Sequence, residues 1–184
     1  MKFTDGEKLI ALMLCEVLKE LRSDDIVDPD FIEDAILKDY TWSISFRYNG
    51  IPFENDELPD IVKEVMDILD MWSLIERSYE RLDDEDKSIL LEEVGLSETQ
   101  LSFKGFDGNN EPQFGIANFL IHKLSLFSDF SNRDINAHLP TIDMHRRMLV
   151  VFNRIKPENG LIDDHLSMEQ MSEIISEIIH PENR

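Results

Sequence analysis

The stretch LPDIVKEVMDILDMWSLIERSYERL, residues 58–82, decides the fold. Its apolar residues Ile61, Val62, Val65, Met66, Ile68, Leu69, Trp72, Ile75 and Tyr79 recur at intervals of three and four, the period of an α-helix. They cover more than one face. A helix that is apolar on more than one face has to be buried on both, so the segment predicts a central helix packed on two sides within an all-α, mainly helical fold.

Helix signals continue on either side. Upstream, Thr4 and Glu7 have capping-box spacing, and Leu9, Ile10, Met13, Leu14, Val17, Leu18 and Leu21 form one apolar stripe of a first helix. Asp28 before Pro29 reads as an N-cap with proline at the first helical position, followed by Phe31, Ile32, Ala35 and Ile36. In residues 41–55, Trp42, Ile44, Phe46 and Tyr48 alternate with polar residues before the Asn49-Gly50 turn. That pattern fits a short strand or an ordered loop, and it leaves room for one short strand pair.

Downstream, Asp83 to Glu93 reads as a capped helix ended by Gly95, and Ser97 with Gln100 as another capping box. Leu101 to Phe106 reads as extended chain and Gly105 to Glu111 as a turn. Pro112 then opens a helix with the stripe Phe114, Ala117, Leu120, Ile121, Leu124 and Phe127. Residues 131–140 form a polar connection. Met144, Met148, Leu149, Phe152 and Ile155 mark a helix stopped near Pro157, and Ser167 with Gln170 caps a last, isoleucine-rich helix before Pro181. With no repeat or flexible linker, the 184 residues are expected to form a single multi-helix domain, 1–184.

Charge narrows the function. The chain carries 18 basic and 39 acidic residues, a net charge of −21, and residues 54–98 alone hold 16 acidic against 4 basic. Such a field repels phosphate backbones and anionic lipid, which disfavours nucleic-acid and membrane partners and suits a basic protein partner. A helix-turn-helix in the first two helices is the poorest reading. Cys15 is the only cysteine, so the chain has no internal disulfide or cysteine metal cluster, and a reducing cytoplasm is expected. Asp5, Glu7, Glu16 and Glu20 interrupt the first twenty residues as a signal-peptide core or membrane span would not allow.

Three separated blocks carry a family resemblance: Ile68-Leu69-Asp70-Met71-Trp72; Gly105-Phe106-Asp107-Gly108-Asn109-Asn110-Glu111; and Asn136, His138, Pro140 with Arg146-Arg147-Met148-Leu149. Together they resemble the YfbU family over roughly residues 1–180. The resemblance implies a helical fold and carries over no catalytic residue, substrate or cofactor. Ala137 departs from the family pattern, in which serine is common between the Asn136 and His138 positions.

The candidate site follows from the polar, turn-forming blocks. Asp107, Asn109, Asn110 and Glu111 precede a helix. They read either as turn and N-cap residues, or as a ligand loop whose amides and helix N-terminus receive a carboxylate or phosphate. Asn136, His138 and Arg147 would complete it. Calcium is rejected because Pro112 stands where the EF-hand loop needs glycine and Asn118 where it needs the closing glutamate. His138 and His145, with Asp134 and Asp143, lack a zinc spacing and read first as structural. Arg147 is expected to pair with Asp143. No metal or cofactor is implied. The leading expectation is a non-enzymatic interaction or regulatory protein, a homodimer, with its contact on the 58–82 helix or the last helix. The competing one is an enzyme or ligand sensor at Asp107 to Glu111.

Overall fold

The computed structural model describes residues 2–21, 27–53, 57–155, 165–180 and 182. Among them eight α-helices form, and the only extended pairing is one isolated parallel bridge between Phe106 and Asn136. The fold is all-α, as the periodicity predicts. The chain divides into two compact units, residues 1–60 and 61–184.

The first unit holds α1 (Asp5–Leu21), α2 (Pro29–Leu37) and α3 (Ser43–Arg47). The capping box forms: the Thr4 N–H donates to Glu7 Oε2 at 2.8 Å and the Glu7 N–H to Thr4 Oγ1 at 3.3 Å. Asp28 caps α2, its Oδ1 accepting from the N–H groups of Asp30 and Phe31, both at 3.1 Å. Lys19 ties α1 to α2 through Asp30 and Glu33.

One reading changes here. Residues 43–47 are helical rather than strand or loop. Trp42 and Phe46, four residues apart, stack edge-to-face at 5.9 Å across one turn, a contact that alternation alone does not reveal. The apolar stripe of α1 is largely exposed, and only Cys15 of this helix is buried.

The second unit is built on α4 (Asp60–Glu80), with Val62, Val65, Ile68, Leu69, Met71, Trp72 and Ile75 all buried. Burial on both sides is what the opening stretch predicts. Around it lie α5 (Asp84–Val94), α6 (Gln113–Asn118), α7 (Ile142–Ile155) and α8 (Met168–Ile175). Asp83 caps α5 and Gly95, at φ +67°, ends it in the left-handed region that glycine tolerates. Ser167 and Gln170 cap α8 reciprocally. Chain continuing α6 widens into a π turn over Phe119–Lys123, so Leu124 and Phe127 leave the helical stripe, Phe127 at φ +54°. The Leu166 N–H donates to Ser78 Oγ at 2.8 Å, and Ser172 Oγ to Glu93 at 2.8 Å, fixing α8 against α4 and α5. Pro157 and Pro181, read as helix stops, lie outside the described residues.

Candidate functional site

Two loops of the second unit, Gly105–Glu111 before α6 and Asp134–Thr141 before α7, meet edge to edge. The Phe106 N–H donates to the Ile135 carbonyl and the Ala137 N–H to the Phe106 carbonyl, both at 3.0 Å. Gly105 makes the approach feasible. It sits at φ +84°, and a Cβ there would lie 1.7 Å from the Ile135 carbonyl oxygen. Six of the seven candidate residues, Asp107, Asn109, Asn110, Glu111, Asn136 and His138, lie on these two loops.

Most of their hydrogen-bonding capacity is directed at one another. Glu111, 7% exposed, accepts from the N–H groups of Asp107, Thr141 and Ile142, each at 2.7 Å. A carboxylate thirty residues away thus occupies the positive end of α7, the favoured place for negative charge. Burial pushes its carboxyl up, but the N–H groups of Ile142, Asp107 and Thr141 outweigh burial and hold it below the ordinary range. Asp107, 2% exposed, receives the Asn110 amide at 2.6 Å and the Asn109 N–H at 2.9 Å, which lower its carboxyl in that order. Asn136 Oδ1 accepts from the N–H groups of Gly108 at 3.0 Å and His138 at 3.1 Å. His138 takes φ +56° and is exposed, as are Asn109 and Asn110.

Arg147 does not join them. It donates to the Glu177 carbonyl at 3.2 Å, while Arg146 takes the pairing expected of it, 3.8 Å from Asp143, and grips Glu64 at 2.7 Å. The pair Arg147–Asp143 is therefore replaced by Arg146–Asp143. Positions i+3 and i+4 both border Asp143 on the helix, and Arg147 turns instead toward Glu177, leaving Arg146 to meet Asp143.

The residue that the sequence reading undervalued is His145. It is fully buried, accepts the Trp72 indole N–H on Nδ1 at 3.0 Å, and places Nε2 3.1 Å from the Gly105 carbonyl. Indole nitrogen is donor-only, so Nδ1 is the acceptor and the proton sits on Nε2, which donates to Gly105. Burial lowers the imidazole to about 4, so it is neutral at physiological pH. Phe103, Phe106 and Trp72 surround it with ring centroids 5.2 to 6.0 Å away. Its position was legible, since 145, 148, 149 and 152 share one face of α7.

A cleft of about 480 Å³ opens next to these loops, bounded by Glu76, Glu80, Glu98, Phe103, Lys104 and Arg133; none of the seven candidate residues lines it. Glu76 is held there by Arg133 at 2.7 Å and by the Phe103 N–H at 2.8 Å. Among the described residues, no three histidine, cysteine or acidic side chains are grouped as a metal ion requires. No described helix is long and apolar enough to cross a membrane.

The family model described as the YfbU domain matches residues 1–176. A curated relative, the UPF0304 protein MJECS11 of Methanocaldococcus jannaschii, is 30% identical over 101 residues, 51% of this chain and 56% of its own length. The chain thus spans little more than half of that relative. With its second and third signature blocks clasped together, Trp72 of the first bonded to His145, and the family model matched over residues 1–176, the chain belongs to the YfbU family.

Proposed function

We propose that the protein is a non-enzymatic, cytoplasmic interaction or regulatory protein that acts as a homo-oligomer. One observation carries this reading: Leu9, Ile10, Met13, Leu14, Val17 and Leu21 on α1 are 51% to 70% exposed. An apolar face of that extent on a soluble chain is characteristic of a contact surface. The 58–82 helix and the last helix, first considered for that role, bury their apolar residues within the second unit. The test is solution mass by light scattering across a concentration series. A mass of one chain at every concentration removes the homo-oligomer.

A second reading, from a different class, is a small-anion sensor or an enzyme whose site comprises Asp107, Asn109, Asn110, Glu111, Asn136 and His138, with Arg147 recruited to it. The convergence of the two loops at the Phe106–Asn136 bridge favours it, together with the exposed Asn109, Asn110 and His138 side chains. Thermal stability measured against inorganic phosphate tests it. An unchanged melting temperature at saturating phosphate removes the anion site.

A further inference from the structure

The exposed stripe of α1 has the geometry of a self-pairing seam. Ile10, Leu14, Val17 and Leu21 are spaced four, three and four residues apart, the a/d spacing of paired helices, and Leu9 and Met13 widen the strip. Among the described residues, the other exposed large apolar side chains, Leu37, Ile51, Ile89, Leu139 and Val150, lie scattered on separate elements, as on any soluble surface. The α1 strip is instead continuous. Its exposed apolar surface is of the order of 600 Å². A standard interface buries about 800 Å² per partner, little over half of it apolar, so this one helix supplies the apolar share of a stable dimer contact.

We infer that the occupant of this face is α1 of a second copy, the two strips meeting across a two-fold axis. The inference rests on the homo-oligomer reading and assigns its contact. The central row of Ile10, Leu14, Val17 and Leu21 carries no charge, while the row of Leu9 and Met13 runs on into Glu16 and Glu20, so two copies meeting on the central row bring no charge into its centre. The edges are acidic, with exposed Glu7 on one side and exposed Glu16 and Glu20 on the other. The nearby lysines are engaged within their own chain, Lys8 with Asp39 and Lys19 with Asp30 and Glu33. Two copies therefore meet through an attractive apolar centre and mutually repelling rims. Rim repulsion is screened by salt, so the self-pair tightens as ionic strength rises. A basic partner on the same face would show the opposite dependence.

Sedimentation velocity over a concentration series, at low and high salt, tests the assignment. The expected result is a wild-type dimer whose dissociation constant falls with salt, and which Leu14→Glu weakens at least about tenfold, while Val150→Glu leaves it unchanged. Both variants are checked for native helicity by circular dichroism, and Leu14→Gln replaces Leu14→Glu should the charge disturb α1. A dimer that persists unchanged in a folded Leu14 variant overturns the α1 assignment and leaves the homo-oligomer standing. A wild-type monomer at all concentrations removes both. Retention of that monomer by a Lys-rich amphipathic helical peptide, lost at high salt, would give the face to a basic partner.

Discussion

The Trp72 indole N–H donates to Nδ1 of His145 across 3.0 Å, joining residues 73 positions apart in a fully buried contact. The imidazole passes the constraint on to the Gly105 carbonyl, so a residue from each of the first two signature blocks, Trp72 and Gly105, meets at this ring, which directly precedes Arg146 of the third. A protonated ring would present a second N–H toward the indole donor, which is why this site holds the neutral form.

That neutrality makes stability depend on pH. The imidazole is lowered to about 4 by burial, against an ordinary 6.5, so between these values the unfolded chain binds a proton that the folded chain refuses. The contribution is complete above pH 6.5 and is lost as pH falls toward 4, about 3 kcal/mol over the full window. Urea unfolding at pH 7 and pH 5 should show this loss beginning. His145→Phe should be less stable at pH 7, with the Trp72 donor unpaired, and should lack the His145 part of the slope between pH 6.5 and 5.

Glu111 is the keystone of the clasp, and its replacement separates hydrogen bonding from charge. Glu111→Ala leaves the N–H groups of Asp107, Thr141 and Ile142 without their acceptor, a loss of roughly 3 kcal/mol or more. Glu111→Gln retains one oxygen for α7 but turns an amide donor toward the Asp107 N–H, and should cost about half as much. Because the folded carboxyl is held below its ordinary value, wild-type Glu111 stabilises above pH 4.5 and loses that contribution as pH falls below it. Chemical denaturation of both variants at neutral and acid pH checks the order and its pH dependence.

Much of the helical layout is written in local signals, because N-caps, capping boxes and three-four spacing act within one or two turns. Asp28 with Pro29, Asp83, Gly95 and Ser167 with Gln170 all mark ends that the structure realises. Residues 43–47 escaped because an alternating pattern of five to eight residues also satisfies a short helix. The clasp was legible only as two polar turns. Glu111 caps a helix thirty residues away and His145 bonds residues on both sides of the chain, and no local spacing encodes such pairings. The α1 stripe shows a different limit, since periodicity identifies an apolar face without saying what covers it.

Gly105→Ala tests the close approach of the two loops. A methyl group at 1.7 Å from the Ile135 carbonyl cannot be accommodated by rotating a side chain, and φ +84° adds backbone strain. The variant must separate the loops at the Phe106–Asn136 bridge, with a cost of more than about 3 kcal/mol. Amide hydrogen exchange should show faster exchange at the Phe106 and Ala137 N–H groups, which bond across the bridge. Wild-type protection at both amides in the alanine variant would contradict the geometry.

Asp28 offers a matched test in the first unit, where Cys15 serves as the reporter. The Asp28 carboxylate caps α2 through the Asp30 and Phe31 N–H groups and meets Arg47 at 2.7 Å, while its own N–H donates to the Tyr48 hydroxyl at 2.8 Å. Asp28→Asn preserves the cap and removes only a half-exposed ion pair, a loss of at most about 1 kcal/mol. Asp28→Ala removes the cap as well, about 1 to 2 kcal/mol more. Cys15 is buried on α1, and burial, then the Glu33 charge, raises its thiol above the ordinary range, so alkylation waits on local opening. Labelling of Cys15 should therefore speed up only slightly in Asp28→Asn and by roughly tenfold in Asp28→Ala, since each 1.4 kcal/mol changes the open population about tenfold. Equal rates in the two variants would show that the ion pair, rather than the helix cap, holds this unit closed.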